Sequence, residues 1–174
     1  MKNTRVLFSV VFSLCFVIAC KKMPPQLPAN KNVDDVQNTM SMMEVNHQLA
    51  LREDSLLQVY VANLKDKSFK KTETGLWYKI EKTRQGKKIK NNDVCQFSYE
   101  LFSLDGKLLE KNEQEVIVIG EKQTIKGLEE GLQLLRKGDN ATFIIPWYLA
   151  YGMKGKEPLI APYVSVIYRV KVFE

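Results

Sequence analysis

Residues 120–138 read Gly120-Glu-Lys-Gln-Thr-Ile-Lys-Gly-Leu-Glu-Glu-Gly-Leu-Gln-Leu-Leu-Arg-Lys-Gly138. From Gly127 the stretch has the spacing of one short helix, with Leu128, Leu132 and Leu135 as its buried stripe. Gly138 is placed to cap it. Gly127 and Gly131 fall inside the helix, where they allow close packing; a phosphate-cradling loop would need them in a turn. Glu129 and Glu130 are adjacent, so they face different directions and read as solvated.

The flanks alternate as strands do. Downstream, Ala141–Ile145 is a strand stopped by Pro146. Val164–Phe173 sends Val164, Val166, Tyr168, Val170 and Val172 to one face. Upstream, Leu76, Tyr78 and Ile80 alternate with Trp77, Lys79 and Glu81, and Gln85-Gly86-Lys87-Lys88 marks a turn. Val94–Phe102 points Cys95, Phe97, Tyr99 and Leu101 one way. Asp105-Gly106 predicts a tight hairpin with positive φ at both central positions. A further strand, Glu115–Ile119, ends at Gly120. About five antiparallel strands around one central helix give an α+β domain, a curved antiparallel sheet wrapped on a short helix.

Ahead of this domain, Val33 to Leu64 has no Gly or Pro and reads as helical. Val45, Leu49, Leu56, Val59, Tyr60 and Asn63 fall near 3.6-residue spacing, with Leu51 and Leu57 widening the stripe. Asp34 and Asp35 sit near its start and Lys65 and Lys67 near its end, as the helix dipole favours. One helix and two helices fit equally well. The segment packs on its own domain, is loosely ordered, or forms a dimerisation arm over residues 33–65.

The first residues set the compartment. Lys2 and Arg5 precede an uncharged run of 14 residues from Val6 to Ala19. That length suits a signal-peptide core and is short for a bilayer span. Val17-Ile18-Ala19-Cys20 resembles a lipobox, which implies a signal peptide over 1–19 and a lipid on the Cys20 thiol. Several acyl chains would anchor the protein stably, where a single chain binds marginally. Pro24, Pro25 and Pro28 make residues 20–32 an extended tether. Lys21 rather than Asp follows Cys20, which points to the outer membrane, periplasmic face. Cys15 would leave with the signal peptide and Cys20 would carry lipid, so only Cys95 remains and no intrachain disulfide is expected. Cys95 reads as a small buried hydrophobe.

Composition narrows the function classes. Apolar residues are 45% and charged residues 26%, a globular balance. The formal charge is +6, but Lys and Arg alternate with Glu and Asp, so no basic stripe suited to nucleic acid emerges. The basic surface reads as solvated, with weak attraction to anionic lipid headgroups as the alternative. One histidine, His47, and one mature free thiol leave no metal or thiol-catalysis set, and no cofactor is expected.

Several segments in order resemble the FKBP-type peptidyl-prolyl cis-trans isomerase family, from Gly75 to Glu174. Gly75-Leu-Trp-Tyr-Lys-Ile is similar to the entry strand. Phe97-Ser-Tyr-Glu with Leu104-Asp-Gly-Lys-Leu-Leu is similar to the tyrosine-bearing strand and its hairpin. Gly120 through Leu132 is similar to the strand end and central helix. Ile145-Pro with Leu149-Ala-Tyr-Gly-Met, then Leu159-Ile-Ala-Pro, is similar to the two ends of the active-site loop. The leader and proline tether also resemble FKBP lipoproteins associated with gliding bacteria.

The resemblance implies an isomerase of X–Pro bonds in secreted or envelope polypeptides. It implies a pocket of Tyr99, Leu109, Ile125, Leu128, Tyr151, Ile160 and Tyr168, with Gln123, Thr124 and Leu159 on the rim. Tyr99 and Tyr168 would be ring walls and Leu128 the floor. The Tyr151 hydroxyl and the Ile160 backbone N–H would be donors, and Glu110 would take the place of the family's acidic residue. Singly, Leu109, Ile125, Leu128 and Tyr168 read better as plain core. Tyr151 does not, because Ala-Tyr-Gly sets a large phenol on a loop. The chain departs from the family's active members at Leu128 (Trp there), Glu110 (Asp there), Tyr168 (Phe there), and Leu109 and Glu115 (aromatic there). These departures imply weak to moderate turnover and poor macrolide binding. Three readings follow: a folding catalyst, a non-catalytic chaperone or binding module, and a structural envelope lipoprotein.

Overall fold

The computed structural model describes residues 33–174, with side chains from residue 41. The leader 1–19, Cys20 and the tether 20–32 lie outside the described residues. Contacts divide the chain into two units, Met1–Met43 and Glu44–Glu174, and the second holds the sheet. In chain order the elements are α1 (Val33–Asn63), β1 (Lys70–Lys71), β2 (Trp77–Lys82), β3 (Val94–Ser103), β4 (Leu108–Val118), α2 (Lys126–Leu134), β5 (Asn140–Ile145), a 3₁₀ turn (Trp147–Leu149) and β6 (Val166–Val172). The strands form one antiparallel sheet in the order β1-β2-β5-β6-β3-β4. The expected α+β class, curved sheet and central helix are all present. The two-residue β1 escapes sequence reading because it is too short to show a period.

Helix α2 lies against the inner face of the sheet, and its glycines set the distance. A Cβ at Gly127 would stand 2.3 Å from Ile145 Cγ2, and one at Gly131 would meet the Phe143 ring at 2.8 Å. Leu128, Leu132 and Leu135 are essentially buried, with Phe97, Leu101, Phe143 and Tyr168 in the same core. The helix ends at Leu134, earlier than expected. Leu135 is already extended, and Gly138 (φ 87°) serves the turn into β5 instead of capping the helix. Buried Asp139 organises that turn, accepting from the backbone N–H of Arg84 (2.6 Å) and Arg136 (2.8 Å).

The hairpin between β3 and β4 also differs from expectation. Gly106 has φ 86°, but Asp105 is not in the left-handed region. The Gly106 N–H donates to Ser103 O and the Ser103 N–H to Lys107 O, both at 3.0 Å. This is a three-residue loop, a turn followed by one left-handed residue, which needs only one glycine.

Helix α1 is a single unbroken helix of 31 residues, ended where Lys65 turns to φ 55°. Its expected apolar stripe is not a buried stripe: Val45, Leu49, Leu51, Leu56 and Val59 are exposed. Among its described residues only Leu57 and Val61 are buried, with Tyr60 half-buried, packed with Ile144, Trp77, Phe69, Leu104 and Ile167. Tyr60 Oη donates to Leu104 O at 2.9 Å. The contact therefore covers the sheet's outer face over β2, β5 and β6. It explains why Phe143-Ile144-Ile145 is apolar without alternation, since both faces of that strand are covered.

Adding one methyl at Gly127 improves helix propensity by up to about 1 kcal/mol. The Ile145 contact overwhelms this gain, because overpacking a tight core costs roughly 1–3 kcal/mol. Gly127→Ala should therefore lower the urea midpoint; an unchanged or raised midpoint would contradict the packing described here.

Candidate active site

A hollow of about 350 Å³ opens over the N-terminal end of α2. It is lined by Phe97, Tyr99, Glu115, Gln123, Thr124, Ile125, Leu128, Tyr151, Lys156 and Tyr168. The elements place each in turn. Strand β3 brings Phe97 and Tyr99 to the inner face, two residues apart. Strand β6 sets Tyr168 opposite Leu101 on one side and Phe143 on the other. Ile125 is the extended residue from whose carbonyl α2 begins, accepting from Leu128 and Glu129 N–H at 3.1 Å. Leu128 follows in the first turn and closes the bottom.

The walls are aromatic. The rings of Tyr99 and Tyr168 lie 5.2 Å apart at 49°, and Phe97 lies 6.1 Å from Tyr99. The hydroxyls of Tyr151 and Tyr168 are 2.7 Å apart. One of them donates to the other, so one proton of the pair remains free for an acceptor entering the hollow. Burial, then Tyr151, pushes the Tyr168 phenol far above its ordinary value. Burial, then Glu110, does the same for Tyr99. Both rings stay neutral, and Tyr99 Oη donates to Glu110 Oε1 at 2.8 Å.

Two carboxylates reach the same face through a register shift. Phe97 pairs with Glu115 and Tyr99 with Asn112, so β4 gains a residue there, and Glu110 pairs with Leu101. Simple alternation would send positions 110 and 115 to opposite faces; the bulge turns both inward. The Lys156 ammonium bonds Glu110 Oε2 and stands 5.8 Å from the Tyr151 ring centre. The Lys156 hydrogen bond, helped by Tyr99, holds the Glu110 carboxyl below its usual range against the opposing effect of burial. Burial works against the Lys156 charge, but Glu110, Tyr151 and Glu115 together outweigh it and its pKa is raised.

Of the residues expected to form the pocket, Tyr99, Thr124, Ile125, Leu128, Tyr151 and Tyr168 line this one hollow, with Gln123 beside them. Glu110 stands behind Tyr99 and Lys156. Leu109 packs against the core, Ile160 is buried, and Leu159 is 44% exposed; none of the three lines the hollow. The Ile160 N–H, expected to face a substrate, donates to Lys156 O at 2.9 Å, and Lys156 N–H returns a bond to Ile160 O at 2.8 Å. Sequence reading missed Lys156. It is an ordinary lysine in a polar loop, and only the fold brings it to Glu110, 46 residues away in sequence. Cys95 is buried in the core with its thiol pushed up to about 11, first by burial, so it stays a protonated hydrophobe. Among the described residues no three His, Cys, Asp or Glu side chains gather to hold a metal.

Comparison with known proteins agrees with this geometry. The sequence model described as FKBP-type peptidyl-prolyl cis-trans isomerase matches residues 85–173, just over half of the chain. A probable FKBP-type isomerase of Haemophilus influenzae is 35% identical over 112 residues, 63% of this chain and 46% of that protein. The FkpA isomerase of Escherichia coli K12 is 30% identical over 112 residues, 63% of this chain and 41% of that protein. The chain thus spans less than half the length of these relatives. Among solved structures, a Pseudomonas syringae peptidyl-prolyl isomerase aligns with a TM-score of 0.61 at 20% identity, over 74% of this chain and 93% of that one. Escherichia coli FkpA aligns with a TM-score of 0.62 at 20% identity, over 100% of this chain and 82% of that one.

The Lys156–Glu110 tie carries a pH signature. A carboxyl whose pKa is lowered by folding adds stability above its unfolded value, and the gain is lost as pH falls through the folded one. Lys156→Met should move the Glu110 titration midpoint upward, past the ordinary 4.5, because burial then outweighs the Tyr99 bond. It should also shrink the stability difference between neutral pH and the region below that value. Carboxyl chemical shifts followed by NMR across pH check the first, and unfolding at the two pH values checks the second.

Proposed function

The chain belongs to the FKBP-type peptidyl-prolyl cis-trans isomerase family, and we propose that its hollow isomerises X–Pro bonds in proline-containing polypeptides. The observation that carries this reading is the ring-walled hollow floored by Leu128 and Ile125, with a polar rim and one free phenolic proton at the Tyr151–Tyr168 pair. Rotating an amide costs about 18–20 kcal/mol because resonance is lost in the twisted form. No bond need break, so no nucleophile, metal or proton relay is required. The site has only to bind the twisted amide better than the planar one. An apolar cup takes the proline ring and strips water from the amide, and a fixed donor meets the carbonyl as it turns. A thousandfold acceleration asks for about 4 kcal/mol of such preference.

In this reading Tyr99, Tyr168 and Phe97 hold the ring, Leu128 and Ile125 close the floor, and Tyr151 is the donor. Glu110 keeps Tyr99 and Lys156 in place. Ile160, whose amide is already engaged, and Leu159, on the surface, contribute by shaping the loop. Leu109 supports the wall from the core side. Leu128 presents less surface to the proline than an indole would, so turnover is weak to moderate and macrolide binding is poor.

The domain 75–174 carries the catalysis and 33–74 is a helical arm. Residues 1–19 are a lipoprotein signal, with Cys20 lipidated and 20–32 a tether. This places the protein on the outer membrane facing the periplasm, where its clients are envelope or secreted proteins. A second reading, a chaperone or binding module, is favoured by one observation. Met42, Met43, Val45, Leu49, Leu51, Leu56 and Val59 are all exposed along α1. The same surface suits a homodimer through residues 33–65.

Proline isomerisation by the purified chain, with Tyr151→Phe and Leu128→Trp beside it, tests the main reading. The wild type should turn over, Tyr151→Phe should lose roughly fivefold, as one hydrogen bond is worth about 1 kcal/mol, and Leu128→Trp should be faster. A folded protein with no turnover in any of the three would hand the lead to the binding reading. Cys20→Ser should move the chain from the membrane fraction to the soluble one; unchanged partition would remove the anchor.

A further inference from the structure

The loop bearing Tyr151 and Ile160 runs from the 3₁₀ turn at Trp147 to Ser165, immediately before β6. Two adjacent side chains of α1, Glu53 and Asp54, reach its two ends. At one end, Tyr148 Oη donates to Asp54 Oδ1 at 2.5 Å, and Lys71 Nζ bonds the other Asp54 oxygen at 3.1 Å. At the other, the Ser165 hydroxyl donates to Glu53 while accepting the Trp147 N–H at 2.9 Å. Ser165 is buried, and it ties the first and last residues of the loop to each other as well as to the helix. Trp147 is nearly buried too and holds Tyr163 edge-on with ring centres 4.9 Å apart. Burial and Asp54 push the Tyr148 phenol upward, which keeps it a donor.

Ordering a loop of this length is entropically costly, and closing its base is the cheapest place to limit its freedom. The helix doing so lies outside the segment matched by the family. It touches none of the hollow's lining residues through these bonds. We propose that Glu53 and Asp54 are positioning residues for the isomerase site: they clasp both ends of the 147–165 loop and hold Tyr151 at the rim. The N-terminal helix is in this way part of the site's rigidity, beyond serving as an arm.

The kinetic consequence rests on the isomerase reading; the structural consequence does not. The full chain, its Glu53→Ala/Asp54→Ala variant and its Glu53→Gln/Asp54→Asn variant are compared in two measurements. One is amide hydrogen exchange over 147–165 against the strands β3, β5 and β6. The other is prolyl-peptide turnover at limiting and saturating substrate. The alanine variant should exchange about tenfold faster in the loop alone. Its KM should rise about fivefold with kcat within about twofold, the scale of one or two net hydrogen bonds. The Gln/Asn variant keeps both acceptor oxygens and should restore the two readouts, even though it loses the Lys71 ion pair. Tyr148→Phe releases one end without altering the helix and should give a smaller loosening of the same amides. Unchanged loop exchange, equal acceleration of loop and strands, or a loosened loop with an unchanged KM would each overturn the proposal. A wild type without turnover would sink the isomerase reading alone, with exchange still deciding the clasp.

Discussion

The rest of this domain depends on how closely α2 can approach the sheet. Gly127 and Gly131 remove the side chains that would collide with Ile145 and Phe143. The helix sinks onto the inner face, and Leu128, Leu132 and Leu135 reach the core beside Phe97 and Tyr168. A helix one methyl layer higher would lift Leu128 out of the floor and part Ile125 from the wall. The hollow is thus the space left between a close-lying helix end and the aromatic residues of β3 and β6.

Within that space the chemistry is that of neutral donors on apolar walls. Tyr99 and Tyr168 are kept protonated by burial. Glu110 is paired with Lys156, so that pair presents no free charge to an entering peptide, while the Glu115 carboxylate accepts from the Asn112 amide. A part-exposed ion pair of this kind adds little stability. Its consequence is geometric: Glu110 orients the Tyr99 phenol and draws the loop residue Lys156 toward β4. A twisted amide has no net charge, so rigid placement of rings and one phenolic donor suits it better than a strong field.

The outer face of the sheet has its own logic. Leu57 and Val61 cover Ile144 and Ile167, and the turn of α1 just before them carries Glu53 and Asp54 to the foot of the active-site loop. Packing on one face of the sheet and loop order on the other are therefore joined through the same short stretch of helix. Exposed apolar residues precede that stretch, from Met42 to Leu51, and lie within it at Leu56 and Val59, which leaves its few inward positions to make the contact.

Strong local periods were legible without coordinates. The leucine stripe of α2, the alternation of Val166, Tyr168, Val170 and Val172, and the phenol on Ala150-Tyr151-Gly152 each report one element and one face. They carried the α+β class; it was the resemblance to the FKBP family that named Tyr99, Gln123, Thr124, Ile125, Leu128, Tyr151 and Tyr168, which the fold gathers around one hollow. What was not legible depends on partners distant in sequence. What covers the α1 stripe was not legible, because 3.6-residue spacing records a face, not whether anything covers it. The inward turn of both Glu110 and Glu115 comes from a bulge in the pairing of β3 with β4, which no single strand encodes. Lys156 became part of the site, and the Ile160 amide was taken up by Lys156 O, only when the loop folded back on itself. Glu53 and Asp54 looked like ordinary helix acids until the 3₁₀ turn and Ser165 were brought against them. Local order follows from the side-chain period along one chain segment. Long-range contacts follow from the net balance of many weak pairings, and that balance is settled only when the whole core has packed.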